Sequence, residues 1–154
     1  GAVALGECAK PFLEMGYEAK DEYFFDAKKL RAKHYEYAAD PSKPKIFISE
    51  LLVSEFSTEF QTLVDSLVSC VSPDQVRQAN FFHSGRPWNL SSSQYEALLE
   101  ESEYGAWVAA IGYRPNHFTV FVNHLKKYAD LETLNDFLKT NGFKLNMPNI
   151  ANTN

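Results

Sequence analysis

The sequence predicts an α+β fold in which two incomplete βαβββ modules flank a helical insertion. Residues 5–53 have a helical apolar stripe followed by strand-like segments, residues 57–112 have helical spacing and helix caps, and residues 117–145 return to a strand–helix–strand pattern. The length of 154 residues suits a single domain. We therefore expect one incomplete domain, divided into a first module at 1–56, an insertion at 57–112 and the start of a second module at 113–154.

The first module begins with an amphipathic helix. Pro11 predicts that this helix is short or kinked, and Gly16 predicts a left-handed end. Its apolar positions at helical spacing are Leu5, Cys8, Ala9, Phe12 and Leu13. Strands are predicted at 22–25, 30–38 and 46–53.

The insertion contains the clearest helix of the chain. Ser57 is its predicted cap, and apolar residues recur at helical spacing from Phe60 to Val71. Ser91–Gln94 reads as a capping box that opens a helix through Leu99, and another helical run ends at Gly112. The residues between them, 81–90, predict an aromatic loop that contains glycine and proline.

The second module starts with an alternating segment at 117–122. Phe118 and Val120 share one face and His117 lies on the other, which predicts a strand that joins the sheet. Asp130 caps a predicted helix at 131–141, and Phe143–Leu145 begins one more predicted strand.

Composition excludes several classes of protein. The net charge of −5 and the absence of a basic stripe argue against nucleic-acid binding, and no apolar run is long enough for membrane insertion. The two cysteines lie far apart, so no disulfide framework is expected and a reducing compartment is the default. We expect a cytoplasmic location, or the plastid stroma if a transit peptide has been removed.

Glu50, Arg114 and His117 are the candidate site residues. Glu50 interrupts an apolar strand, so it either pairs with Arg31 or Lys33 or faces a binding pocket. Arg114 and His117 bracket the start of the alternating segment, an arrangement that suits a carboxylate clamp beside an imidazole ligand. An arginine packed on a loop is the alternative. The local metal, phosphate-loop and serine-hydrolase motifs are absent from the sequence.

Two long segments resemble a known family. They are KIFISELLVSEFSTEFQTLVDSLV (45–68) and GRPWNLSSSQYEALLEESEYGAWVAAIGYRPNHFTVFVNHL (85–125). Together with Gly16-Tyr17 and Lys29-Leu30, they are similar to the 2-oxoadipate dioxygenase/decarboxylase family, the hydroxyglutarate synthases. The resemblance extends from about residue 8 to residue 146.

The resemblance implies a vicinal-oxygen-chelate-like fold, in which βαβββ modules form a mixed half-barrel around one non-haem Fe(II). It also implies conversion of 2-oxoadipate, a 2-oxo diacid, to 2-hydroxyglutarate with O2. His117 matches one of two histidine ligands, so it should project into the concave sheet face while Phe118 and Val120 pack under helices. The other histidine and the glutamate ligand are expected outside residues 1–154. The chain alone is therefore expected to bind iron poorly and to be inactive.

A second hypothesis belongs to a different class of function. With one expected metal ligand and an incomplete half-barrel, the chain would be a non-catalytic relative that serves as a binding or structural subunit. In either case we expect a companion segment or protein partner to cover the exposed sheet edges.

Overall fold

A computed structural model describes residues 5–78, 80–128 and 130–145. The helices are α1 (Leu5–Glu14), α2 (Thr58–Val68), α3 (Pro73–Val76), α4 (Ser92–Glu101), α5 (Glu103–Ile111) and α6 (Leu131–Thr140). The strands are β1 (Tyr17–Phe25), β2 (Leu30–Tyr37) and β3 (Ile46–Leu51). The chain forms two compact units, one up to Asn116 and one from His117 onward. No helix in the described ranges is long and apolar enough to cross a membrane.

The strands form an antiparallel sheet in the order β1-β2-β3, which confirms the strands predicted in the first module. β1 begins at Tyr17 rather than at Glu22, because polar residues at the start of the strand pair with the backbone of β2. This part of β1 is exposed along the sheet edge and carries no apolar alternation that the sequence could display.

Helix α1 packs on one face of the sheet and continues through Pro11. Leu5 and Ala9 are buried together with Tyr35 of β2. Gly16 follows the helix with φ of +97°, which confirms the predicted left-handed end. The sheet and α1 thus form a small core of their own.

A second, larger core lies among the insertion helices. The side chain of Ser57 accepts a hydrogen bond from Phe60 N, and Ser91 and Gln94 form the predicted capping box of α4. The helix after Ser57 ends at Val68 rather than at Val71. The buried residues of this core are Phe56, Phe60, Leu67, Trp88, Leu98, Ala106 and Ala109.

The predicted strand at 117–122 is wrong. Residues 117–121 are irregular and Val122–His124 form a 3-10 turn. Phe118 is 92% exposed and Val120 is 65% exposed, so neither packs under a helix as predicted. A strand needs a partner for its backbone groups, and the described residues of the second unit contain no strand to pair with it.

In the rest of the second unit, the predicted helix is confirmed and the predicted final strand is not. Helix α6 forms with Asp130 as its cap, the side chain accepting a hydrogen bond from Thr133 N at 2.8 Å. Residues 143–145 are irregular, so the strand predicted to begin there is also wrong. The local helix signals hold, because helix hydrogen bonds are internal to the segment, whereas the strands depend on a neighbour.

The two cysteines are free thiols in different environments. Burial and the nearby charge of Glu50 raise the pKa of Cys8 to about 12 from an ordinary value of 9.0, while Cys70 is exposed. A thiol with such a raised pKa is almost entirely protonated at pH 8, with roughly a thousandfold less thiolate than an ordinary one.

We therefore expect a thiol reagent at pH 8 to modify Cys70 quickly and Cys8 about a thousandfold more slowly. The rate at Cys8 should keep rising as the pH approaches 12, because only the thiolate reacts. Mass spectrometry of peptides after timed alkylation measures both rates, with Cys70→Ser as the control. Fast uptake of one equivalent by Cys70→Ser at pH 8 would contradict the expectation.

Candidate functional site

Two chain segments are joined at the carboxyl end of α5. Gly85 N donates a hydrogen bond to Tyr113 O at 3.0 Å, and Tyr113 N donates to Gly85 O at 2.8 Å. Gly85 and Gly112 have φ of +89° and +76°, in the left-handed region that favours glycine. The pairing fixes residues 84–86 beside residues 112–114.

Aromatic packing anchors these segments to the larger core. Trp88 Nε1 donates a hydrogen bond to Ala109 O at 2.8 Å. The ring of Tyr113 lies against Phe81 and Trp88, with centroid distances of 4.3 and 5.6 Å. Burial raises the pKa of Tyr113 to about 12, so its phenol stays neutral at ordinary pH. Tyr113 therefore acts as a packing residue beneath the segments.

A shallow groove of about 360 Å³ opens beside the paired segments. It is lined by Ser84, Arg86, Ala110, Ile111 and Arg114. The guanidinium of Arg114 lies over Gly85, so closely that a Cβ built on Gly85 would be 3.0 Å from Nη2. Arg114, the predicted carboxylate clamp, thus lines a cavity, and its role there stays a prediction.

The sequence-based prediction missed Arg86, which shares the groove with Arg114. A signal for it exists in the sequence, because each arginine directly precedes a proline, Pro87 or Pro115. Helical backbone is disfavoured for the residue before a proline, so both arginines are expected outside helices.

Glu50 lies on the α1 side of the sheet. Arg31 Nη2 donates to Glu50 Oε1 at 2.9 Å, and Leu5 N at the start of α1 donates to Glu50 Oε2 at 2.7 Å. Of the two partners predicted for Glu50, Arg31 and Lys33, Arg31 forms the ion pair. Both carboxylate oxygens of Glu50 accept hydrogen bonds, so the contacts favour the ion pair over a pocket carboxylate. The use of Glu50 in a pocket stays a prediction.

A polar network lies on the sheet face opposite α1. Tyr23 Oη lies 2.9 Å from His34 Nδ1, and His34 Nε2 lies 3.4 Å from Glu36 Oε1. Lys45 also contacts Glu36, and this hydrogen bond lowers the pKa of the Glu36 carboxyl. The polar groups of this network contact one another across β1 and β2.

His117, the predicted metal ligand, is the first residue of the second unit and is exposed. Its imidazole is a suitable donor for Fe(II). In the ranges that the structure describes, no group of three histidine, cysteine, aspartate or glutamate side chains is close enough to hold a metal ion. The structure thus places Arg114 and Arg86 on one groove and keeps Glu50 in a separate ion pair.

Comparison with known proteins settles the family. The sequence profile of 2-oxoadipate dioxygenase/decarboxylase matches residues 74–153. The chain is 36% identical over 160 aligned positions, covering 95% of its length, to the chloroplastic 2-oxoadipate dioxygenase/decarboxylase of Arabidopsis thaliana. The chain belongs to the 2-oxoadipate dioxygenase/decarboxylase family. It spans 43% of the Arabidopsis protein, less than half of that relative's length.

Solved structures share the fold of this chain, and one of them is a hydroxyglutarate synthase. A Shewanella frigidimarina protein, 49% identical, superposes with a TM-score of 0.89 over 94% of this chain and 56% of its own. The rice hydroxyglutarate synthase, in complex with 2-oxoadipate, is 30% identical with a TM-score of 0.76, over 90% and 48%. A glyoxalase-superfamily protein of Ralstonia eutropha has a TM-score of 0.68 at 22% identity, over 92% and 51%. The predicted vicinal-oxygen-chelate-like α+β fold class is therefore confirmed.

Proposed function

We propose that the protein takes part in an Fe(II)-dependent reaction that converts 2-oxoadipate and O2 to 2-hydroxyglutarate and CO2. The observation that carries the proposal is family membership along nearly the whole chain, together with a rice relative whose structure holds 2-oxoadipate. The atoms balance, since one carbon leaves as CO2 and both atoms of O2 enter the two products.

Arg114 is proposed to bind a carboxylate of the 2-oxo diacid. Its guanidinium is exposed, lines the groove and is held over Gly85, so it can offer two parallel N–H donors to a carboxylate without rebuilding the backbone. Because guanidinium stays protonated at all ordinary pH values, this contact binds and orients the substrate but moves no proton.

His117 is proposed as one ligand of Fe(II), and the other ligands are proposed to come from outside residues 1–154. Exposure leaves the imidazole accessible, and the described residues supply no three-ligand group near it or elsewhere. When bound, the metal would supply Lewis-acid polarisation of the 2-oxo acid and the redox capacity that O2 chemistry requires. Neutral imidazole is the form that binds the metal.

A non-catalytic role as a binding or structural subunit is the second candidate. It is favoured by the lack of a three-ligand group among the described residues and by aromatic side chains exposed on the sheet, such as Phe24 and Phe47 at 62% and 55%. A companion segment or partner that covers the outer edges of β1 and β3 is part of both proposals.

The chloroplastic location in the Arabidopsis relative's name supports a plastid stroma location for this protein as well. The alternative is the cytoplasm, which the sequence alone predicts. Expression of the protein with a fluorescent tag in plant cells distinguishes the two compartments.

The test is an assay of O2 consumption and CO2 release with 2-oxoadipate and Fe(II). Two proteins are compared: the chain alone, and a chimera in which the chain replaces its matching 48% of the rice enzyme. We expect turnover by the chimera and none by the chain alone, since the chimera supplies the ligands that are proposed to lie outside residues 1–154. His117→Gln in the chimera is the control that should abolish turnover.

Two outcomes would contradict the proposal. A chimera that folds, shown by its circular dichroism and elution volume, but releases no CO2 favours the non-catalytic subunit. Turnover by the chain alone, with stoichiometric iron, would instead show that its own residues complete the metal site.

A further inference from the structure

We propose that Arg86 and Arg114 together form a carboxylate-binding site, and that Arg86 helps to select a 2-oxo diacid over a 2-oxo monoacid. The group bound there is the carboxylate remote from the keto group. The identity of the diacid rests on the proposed function, whereas the existence of a carboxylate site rests on the groove itself.

The first observation is which arginines form ion pairs with carboxylates and which do not. The chain has four arginines. Arg31 pairs with Glu50 at 2.9 Å, and Arg77 pairs with Asp74 at 2.8 Å. Among the described residues, neither Arg86 nor Arg114 forms an ion pair with a carboxylate, and these two line the same groove. The groove is therefore lined by two arginines that have no carboxylate partner in the part of the chain that the structure describes.

The rigidity of the groove is the second observation. Both hydrogen bonds of the Gly85–Tyr113 bridge hold the two arginine-bearing segments together. A Cβ on Gly112 would lie 2.4 Å from the Cα of Arg86, which measures how closely the segments approach. Each arginine also directly precedes a proline, which disfavours helical backbone at that position. The bridge thus holds the backbones of the two arginine-bearing segments together, and an anion bound in the groove would be attracted by both charges.

Two apolar residues within a mostly polar lining bear on the class of anion. Ala110 and Ile111 line the groove beside the arginines, and Ile111 is 38% exposed. A methylene chain can cover this apolar surface, whereas an inorganic oxyanion leaves it in water. An aliphatic carboxylate can therefore contact both the arginines and the small apolar part of the lining.

Ser84 adds no donor to the site. Its hydroxyl donates to Phe81 O at 2.7 Å, so its proton is already used. The affinity must therefore come from the two arginines, which each present a planar set of donors that matches a carboxylate.

The test measures binding of adipate to the metal-free full chain by calorimetry at about 0.15 M ionic strength, with inorganic phosphate as the second probe. We expect Arg86→Gln and Arg114→Gln each to weaken adipate binding at least tenfold. The affinity of Arg86→Lys for adipate should lie between those of wild type and Arg86→Gln. Lysine keeps the positive charge but lacks the planar set of N–H donors that matches a carboxylate. Arg77→Gln is the matched control, since Arg77 is exposed and lies outside the groove lining, and it should change binding less than twofold.

Two results would overturn the proposal: Arg86→Gln binding adipate as wild type does, or phosphate binding as tightly as adipate. In the chimera, Arg86→Gln should raise KM for 2-oxoadipate far more than KM for 2-oxohexanoate. Loss of adipate binding in Arg86→Gln alongside an inactive chimera would support the carboxylate site and contradict only the proposed reaction.

Discussion

Replacing Leu98 by alanine is expected to lower the free energy of unfolding of the first unit by roughly 3 kcal/mol. Leu98 is 1% exposed and belongs to the core formed by the insertion helices. The substitution removes buried apolar atoms and leaves a cavity whose rigid neighbours close only in part. Urea unfolding followed by tryptophan fluorescence measures the effect, because Trp88 and Trp107 both lie in this unit.

The neighbouring residue supplies the matched control. Leu99 follows Leu98 in α4 but is 43% exposed, so Leu99→Ala should cost about 0.5 kcal/mol or less. The two variants share composition, helix and helix propensity, and differ in burial. Equal destabilisation by both would show that the buried face of α4 is not the one that the structure describes.

The helices that form this core are the part of the fold that the sequence predicts best. The insertion helices carry their signals locally: Ser57 and Ser91 cap them, and apolar residues recur at helical spacing. Each helix forms its backbone hydrogen bonds within its own segment, so predicting it requires no knowledge of the elements that pack against it. The same holds for α1 and for α6 after Asp130.

The predicted strand at 117–122 failed for the opposite reason. The alternation that places Phe118 and Val120 on one face is compatible with a strand. A strand forms only if another segment of the chain pairs with its backbone, and the alternation does not show whether one does. β1 shows the converse, since its polar first half has no alternation and is a strand only because β2 pairs with it. Strand content in this chain is thus set by tertiary pairing, which single-sequence patterns do not contain.

Of the two arginines that line the groove, the sequence identified one and missed the other, again because tertiary pairing is not visible in the sequence. Arg114 was identified by its position before the alternating segment, and it lines the groove. Arg86 lies 28 positions earlier, so its place beside Arg114 depends on the Gly85–Tyr113 bridge. For Glu50, chemistry predicted a cationic partner but left it open between Arg31 and Lys33, because a carboxylate on an apolar strand requires a cation nearby; the structure shows Arg31.

Replacing Gly112 by alanine should have a still larger effect than Leu98→Ala, with a loss of roughly 3–5 kcal/mol. The added Cβ would lie 2.4 Å from both Gly85 O and Arg86 Cα, and both are backbone atoms that cannot rotate away. A φ of +76° with ψ of −151° adds strain for any residue with a side chain. Relief requires the two segments to separate, which breaks the bridge between Gly85 and Tyr113.

Gly16→Ala separates the strain of a positive φ from the steric clash. Gly16 has φ of +97°, but the nearest atom to its added Cβ is Cε2 of the Tyr37 side chain at 3.2 Å, and a side chain can shift. We expect Gly16→Ala to cost about 1–2 kcal/mol. Adipate binding should fall at least tenfold in Gly112→Ala, measured where the variant is folded, and remain within twofold in Gly16→Ala. A Gly112→Ala variant no less stable than Gly16→Ala, with adipate binding intact, would mean that the bridge does not hold the arginines in place.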